Sequence, residues 1–176
     1  ALPISTLSGE FAWGRLWGSG ACAVRVAPLG FYPREHLACW LSLAEAVAAP
    51  RGYAGEVYGV LAAHGAAFPQ EVAKAAGLLP SQVELGLSEL VARGLATGDS
   101  WAGVRGLIVP PSRRDRPVPI VGRWSRLERA GAPASAEASM LVARQLLRQT
   151  GVVFRRTLER ERVPVPWWRI VSDLRT

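Results

Sequence analysis

Residues 56–94 read EVYGVLAAHGAAFPQEVAKAAGLLPSQVELGLSELVARG, three apolar-periodic stretches that are each closed by a glycine. Over Glu56–His64, Val57, Val60 and Leu61 share one side of a helix, and Gly65 ends it. Pro69–Ala76 opens on a proline, tolerated in a first turn because its missing N–H has no intrahelical partner there, and Gly77 ends it. Ser81–Arg93 follows Pro80, with Ser81 expected as N-cap and Glu84 completing a capping box three residues on. Val83, Leu87, Leu90 and Val91 give this third helix a core-facing stripe, and Gly94 stops it. Leu95–Val109, LATGDSWAGVRGLIV, then reads as two short β-like stretches around Gly98-Asp99-Ser100. Three short helices followed by a hairpin predict a winged helix, a variant of the helix-turn-helix plan.

Upstream, glycines punctuate residues 8–32, and the alternation in Cys22-Ala23-Val24-Arg25-Val26 predicts a hairpin or irregular strand region, with Trp13 and Trp17 as core anchors. His36–Ala48 has Leu37, Trp40, Leu41 and Ala44 at helical spacing, ended by Pro50-Arg51-Gly52. Downstream, PPSRRDRPVP at 110–119 holds four prolines and three arginines with almost nothing to bury, so it reads as a linker. AGAPASA at 130–136 is a second breaker, and between the two lies the short, basic IVGRWSRLER.

The helical rhythm then returns. Glu137–Gln149 carries Met140, Leu141, Leu146 and Leu147; Phe154–Glu161 pairs Phe154 with Leu158; Pro166 opens a last helix with Trp167, Ile170, Val171 and Leu174 on one face. This is a second winged-helix pattern without its wing, which predicts a fragment of a longer protein. The expected fold class is therefore α+β, mainly α, with tandem winged-helix domains, short β-hairpins and the second winged helix truncated. The expected divisions are 1–50 (hairpin and short helix), 51–110 (first winged helix), 111–136 (basic connector) and 137–176 (second winged helix, incomplete).

Composition bounds the function. Of 176 residues 49% are apolar, enough to bury a core. No apolar run approaches the roughly 20 residues of a membrane-spanning helix, and ALPISTLSGE lacks the n- and h-regions of a secretory signal, so a cytoplasmic protein with no membrane partner is expected. Cys22 and Cys39 lack metal-ligand spacing with His36 or His64 and read as ordinary thiols, with no metal expected. Charge is lopsided: residues 1–100 carry 6 Lys/Arg against 8 Asp/Glu, and residues 101–176 carry 15 against 6. The halves are thus −2 and +9, which directs a polyanionic partner to the second.

Four stretches resemble the C-terminal region of the large helicase-related (Lhr) family of bacterial DNA helicases: LSGEFAWGRL at 7–16, FYPREHL at 31–37, GRWSRL at 122–127 and LLRQTGVVFRRTLERERVPVPWWRIVSDLR at 146–175. The resemblance implies an ATP-dependent translocase on single-stranded DNA, acting in DNA repair. Its motor, with ATP and Mg, would lie outside this sequence, which has no G-x-x-x-x-G-K-[ST] loop to cradle phosphates. For this region the resemblance implies winged helices and a barrel-like part similar to the AlkZ class of DNA glycosylases; in some long family members it implies a uracil-DNA glycosylase.

The residues that would bind DNA are arginines and tryptophans of the second half. Arg156 and Arg160 stand one turn apart, a like-charge pair that costs a few tenths of a kcal/mol, roughly, unless an anion lies between them. Arg113, Arg114, Arg123, Arg126 and Arg129 add a basic approach, and Arg169 lies on the last helix. Trp168 is rotated about 100° from the core-facing Trp167, toward Ser172 and Arg175, where an indole can stack on an unpaired base. Trp124, between Arg123 and Arg126, invites the same reading. In the first winged helix the outward side of the third helix, Gln82, Glu84, Gly86, Glu89 and Arg93, carries two glutamates that would repel phosphates.

A glycosylase would need a pocket carboxylate. Asp99, Asp115 and Asp173 are the acids to consider, and none falls in a motif that assigns a catalytic residue. The function expected is a DNA-binding accessory region of a helicase, with DNA, expected single-stranded, and the helicase motor domains as partners. The alternatives are a glycosylase module, a domain-docking scaffold and a winged-helix regulator.

Overall fold

A computed structural model of the chain describes residues 6–17, 23–109, 120–128 and 136–175. Strand β1 (Phe11–Gly14) pairs antiparallel with β2 (Gly30–Pro33), Phe11 opposite Pro33 and Gly14 opposite Gly30. The expected pairing region is there, but Val24–Val26 forms a 3₁₀ turn rather than a strand, and Cys22 lies outside the described residues. Another 3₁₀ turn, Arg34–His36, leads into helix α1 (Leu37–Ser42), shorter than the predicted His36–Ala48.

Three helices follow: α2 (Gly52–His64), α3 (Pro69–Ala76) and α4 (Pro80–Arg93). Pro69 opens α3 as expected, whereas the start of α4 differs from the capping pattern expected. Pro80 is already helical and Leu79 is the cap, its N–H donating to Gln82 Oε1 at 2.8 Å, so the reaching side chain is Gln82 and not Glu84. The Phe68 N–H likewise donates to Glu71 Oε2 at 2.7 Å at the start of α3. Each of these two helices ends on a left-handed glycine, Gly77 (φ +65°) and Gly94 (φ +69°), a conformation that costs a residue with a Cβ about 1–2 kcal/mol.

The expected hairpin over Leu95–Val109 is corrected. Only Ala96–Gly98 is a strand, β3; Ser100 Oγ accepts the Ala102 N–H at 3.2 Å and caps a helix, α5 (Trp101–Ile108). The strand that pairs with β3 comes from GRWSRL: β4 (Trp124–Arg126) runs antiparallel to it, with Thr97 opposite Ser125. On its other side, Trp124 exchanges two backbone hydrogen bonds with Ala67, at 2.8 and 2.9 Å. The order across this small sheet is Ala67, β4, β3. The predicted connector 111–136 thus supplies a strand to the body of the first unit, while 110–119 and 129–135 lie outside the described residues.

The remaining helices are α6 (Ala136–Thr150), α7 (Arg155–Glu161) and α8 (Trp167–Leu174). In α8 Ile170 is buried and Trp167 and Leu174 pack against the same core, as predicted, while Val171, placed on the same face, is half-buried outside that core. Of the expected pair Phe154 and Leu158, Leu158 is buried in the core, while Phe154 caps α7 and is exposed.

Two clusters of buried side chains organise the chain, which is mainly helical with two small antiparallel sheets. The first gathers Val57, Leu61, Val83, Leu87 and Leu90 of α2 and α4 around Trp13 and Trp124, whose rings meet edge to face at 5.7 Å. The second joins Trp40 and Leu41 of α1 to Val142 and Leu146 of α6, Leu158 of α7 and Ile170 of α8. Two short segments feed both clusters: Trp13 and Trp124 enter the first, Leu16 and Leu127 the second.

Candidate nucleic-acid interface

Helix α7 is short and amphipathic. Leu158 is its one buried residue, and Arg155, Arg156, Glu159, Arg160 and Glu161 are all exposed. Arg155 Nε meets Glu159 Oε1 at 3.2 Å and Arg160 Nη2 meets Glu161 Oε1 at 3.0 Å. Arg156, one turn from Arg160, has no ion-pair partner among the described residues. Helix α7 closes on Arg162 in the left-handed region (φ +52°), an exposed arginine where glycine is the usual occupant.

On α8 the predicted rotation of the two indoles is realised. Trp168 is 66% exposed, and it lines a shallow groove with Trp167, Val171, Ser172 and Arg175. Arg169 is committed within the fold: its Nε donates to Ser139 Oγ on α6 at 3.1 Å and lies 3.6 Å from Asp173 Oδ1. It therefore fastens α8 to α6 as well as presenting charge.

The GRWSRL residues are split. Trp124 is 0% exposed, wedged between Trp13 and α5, so the stacking role expected for it is corrected to a core role. Arg123 is exposed, with its guanidinium carbon 5.0 Å from the centre of the Phe68 ring, a cation–π contact that keeps the charge at the surface. Arg126 is exposed, pairs with Glu128 and lines a pocket with Arg34 and Leu41. Arg113, Arg114, Arg129 and Asp115 lie outside the described residues.

Of the two described carboxylates considered for catalysis, both hold partners of the fold. Asp99 Oδ1 accepts the Arg123 N–H at 2.8 Å while its own N–H donates to the Arg123 carbonyl at 3.0 Å, clamping the end of β3 to the start of β4. Asp173 sits against Arg169 on α8. On α4, Gly86 is buried rather than outward: a Cβ there would lie 2.8 Å from the Tyr53 carbonyl oxygen of α2. Glu89 pairs with Arg93 at 2.7 Å.

The structure thus brings Arg156 together with Arg160, and Trp168 with Arg175. Sequence reasoning missed Arg148, exposed in the last turn of α6, and the aromatic residues Trp17, Tyr32 and Trp40, which α6 faces across a groove. Among the described residues, no group of three or more His, Cys, Asp or Glu side chains is placed to hold a metal, and no helix is long and apolar enough to cross a membrane. No protein-family model matches the chain, and no curated protein matches it.

Proposed function

We propose that this chain is a DNA-binding accessory region of a cytoplasmic ATP-dependent DNA helicase acting in repair, one that contacts phosphates without reading sequence. The observation that carries the reading is the surface of α7, where Arg156 has no ion-pair partner among the described residues and stands one turn from Arg160. Two like charges at that spacing repel, and a phosphate between them removes the cost. The neighbouring pairs Arg155–Glu159 and Arg160–Glu161 are exposed, and such pairs contribute about 0–1 kcal/mol, so a phosphate can displace either carboxylate. The +9 balance of residues 101–176 draws the strand toward this half, and Trp168 offers an exposed ring for an unpaired base.

The first unit fits the same reading as a winged helix. The succession α2, Ala67, α3, α4, β3, β4, with sheet order Ala67, β4, β3, supports that plan, with α5 inserted where a simple wing would turn. Its α4 surface, with Glu84 and Glu89, is unsuited to phosphate and suits contact with neighbouring domains. The test is a titration of a labelled single strand at several salt concentrations with the wild type and an Arg156→Ala/Arg160→Ala variant.

A further inference from the structure

Trp17, Tyr32 and Trp40 come from three separate segments and form one aromatic wall, with the Trp17 and Tyr32 rings 5.9 and 5.5 Å from that of Trp40. They border a groove of about 510 Å³, inside the roughly 300–1,000 Å³ range of small-molecule sites. Across it, α6 presents Gln145 and Arg148. Trp17 is fixed by its indole N–H, which donates to the Glu161 carbonyl at 3.1 Å. The end of α7, whose Glu161 carboxylate holds Arg160, is thereby set at the rim of the groove.

Two polar groups in this groove are unused. Neither the Tyr32 hydroxyl nor the Gln145 amide makes a hydrogen bond among the described residues, although both residues are partly buried. Arg148 is exposed and has no ion-pair partner among them. A flat ring with hydrogen-bonding edges and an attached phosphate matches the aromatic wall, the Gln145 amide and Arg148. The ring covers the aromatic wall, the amide offers both a donor and an acceptor to its edge, and the guanidinium meets the phosphate. An apolar side chain of a partner protein would instead bury the amide unsatisfied.

We propose that the groove between Trp17, Tyr32 and Gln145 is a subsite for one unpaired base of the DNA strand held by α7. This rests on the phosphate-contact reading above. The amide can meet the edge of any base by rotating, so the subsite selects for unpaired over paired nucleotides and not for sequence.

The test compares two single strands of equal length and phosphate number, one of thymidines and one of abasic sites, in a Trp168→Ala background that removes the exposed indole of α8. The thymidine strand is expected to bind at least about fivefold more tightly, the lower end of what one stacked base contributes, with the same salt dependence. Equal affinity of the two strands overturns the subsite and leaves the phosphate reading standing; absence of salt-sensitive binding by either strand overturns both. To place the base in this groove, Trp17→Leu and Gln145→Ala, each checked by thermal melting, are measured against both strands. Each is expected to shrink the difference between the strands. A difference that survives in folded Gln145→Ala and in folded Trp17→Leu assigns the base elsewhere and overturns the proposal.

Discussion

The Thr97 hydroxyl donates a 2.6 Å hydrogen bond to the backbone carbonyl of Trp13, joining β3 to β1 in the buried interior between two stretches far apart in sequence. Beside it, Arg15 Nη1 donates to the Ala92 carbonyl at 2.6 Å. Together these bonds fasten the segment that feeds both cores to the end of α4 and to the small sheet.

Thr97→Val keeps the side chain's shape and removes the donor. We expect a loss of about 1 kcal/mol of stability, the usual net contribution of one such bond, and Thr97→Ser to retain most of it. Chemical denaturation of the two variants checks the order; a valine variant as stable as wild type contradicts it.

Gly86 and Gly59 sit on facing helices and predict opposite outcomes. At Gly86 a Cβ would lie 2.8 Å from both the Tyr53 carbonyl oxygen and Val57 Cγ2, whereas at Gly59 nothing lies within 4 Å. Backbone cannot yield cheaply, so Gly86→Ala should cost about 1–3 kcal/mol despite the better helix propensity of alanine. Gly59→Ala meets no obstruction and should stabilise by about 0.5–1 kcal/mol. Thermal melts of both decide.

Burial pushes the Tyr32 hydroxyl up to about 12 from its ordinary 10.0. The folded state therefore holds this proton more tightly than the unfolded chain does. The stability it lends is fully present below pH 10 and is lost as pH rises through 10 toward 12. Ultraviolet titration should show a late tyrosine phase that Tyr32→Phe removes; a late phase that survives in Tyr32→Phe contradicts the assignment.

The helices were legible because their punctuation is local. Gly65, Gly77 and Gly94 end α2, α3 and α4 where the apolar period stops, and Pro69 begins α3 where a proline is tolerated. The outward turn of Trp168 was readable for the same reason, since helical phase is carried by neighbours along the chain. The strands were not. β3 and β4 are three residues each, too short to display a period, and the partner of Gly98 is Trp124, beyond a whole helix. The exposed Arg123 beside Trp124 suggested exposure, yet in an extended chain consecutive side chains point to opposite sides, and the indole goes inward. The aromatic groove was illegible for a similar reason: Trp17, Tyr32, Trp40 and Gln145 meet only once β2, α1 and α6 have packed.

The reading of α7 as a phosphate-contacting surface is tested most directly by fluorescence anisotropy of a labelled single strand across a salt series. Wild type should bind with an affinity that falls steeply with salt, by a logarithmic slope of roughly −0.7 for each phosphate neutralised. Arg156→Ala/Arg160→Ala should bind more weakly with a shallower slope, and both proteins should melt alike because neither side chain is buried. Equal binding by the folded double variant, or no binding by wild type even at low salt, would contradict the account.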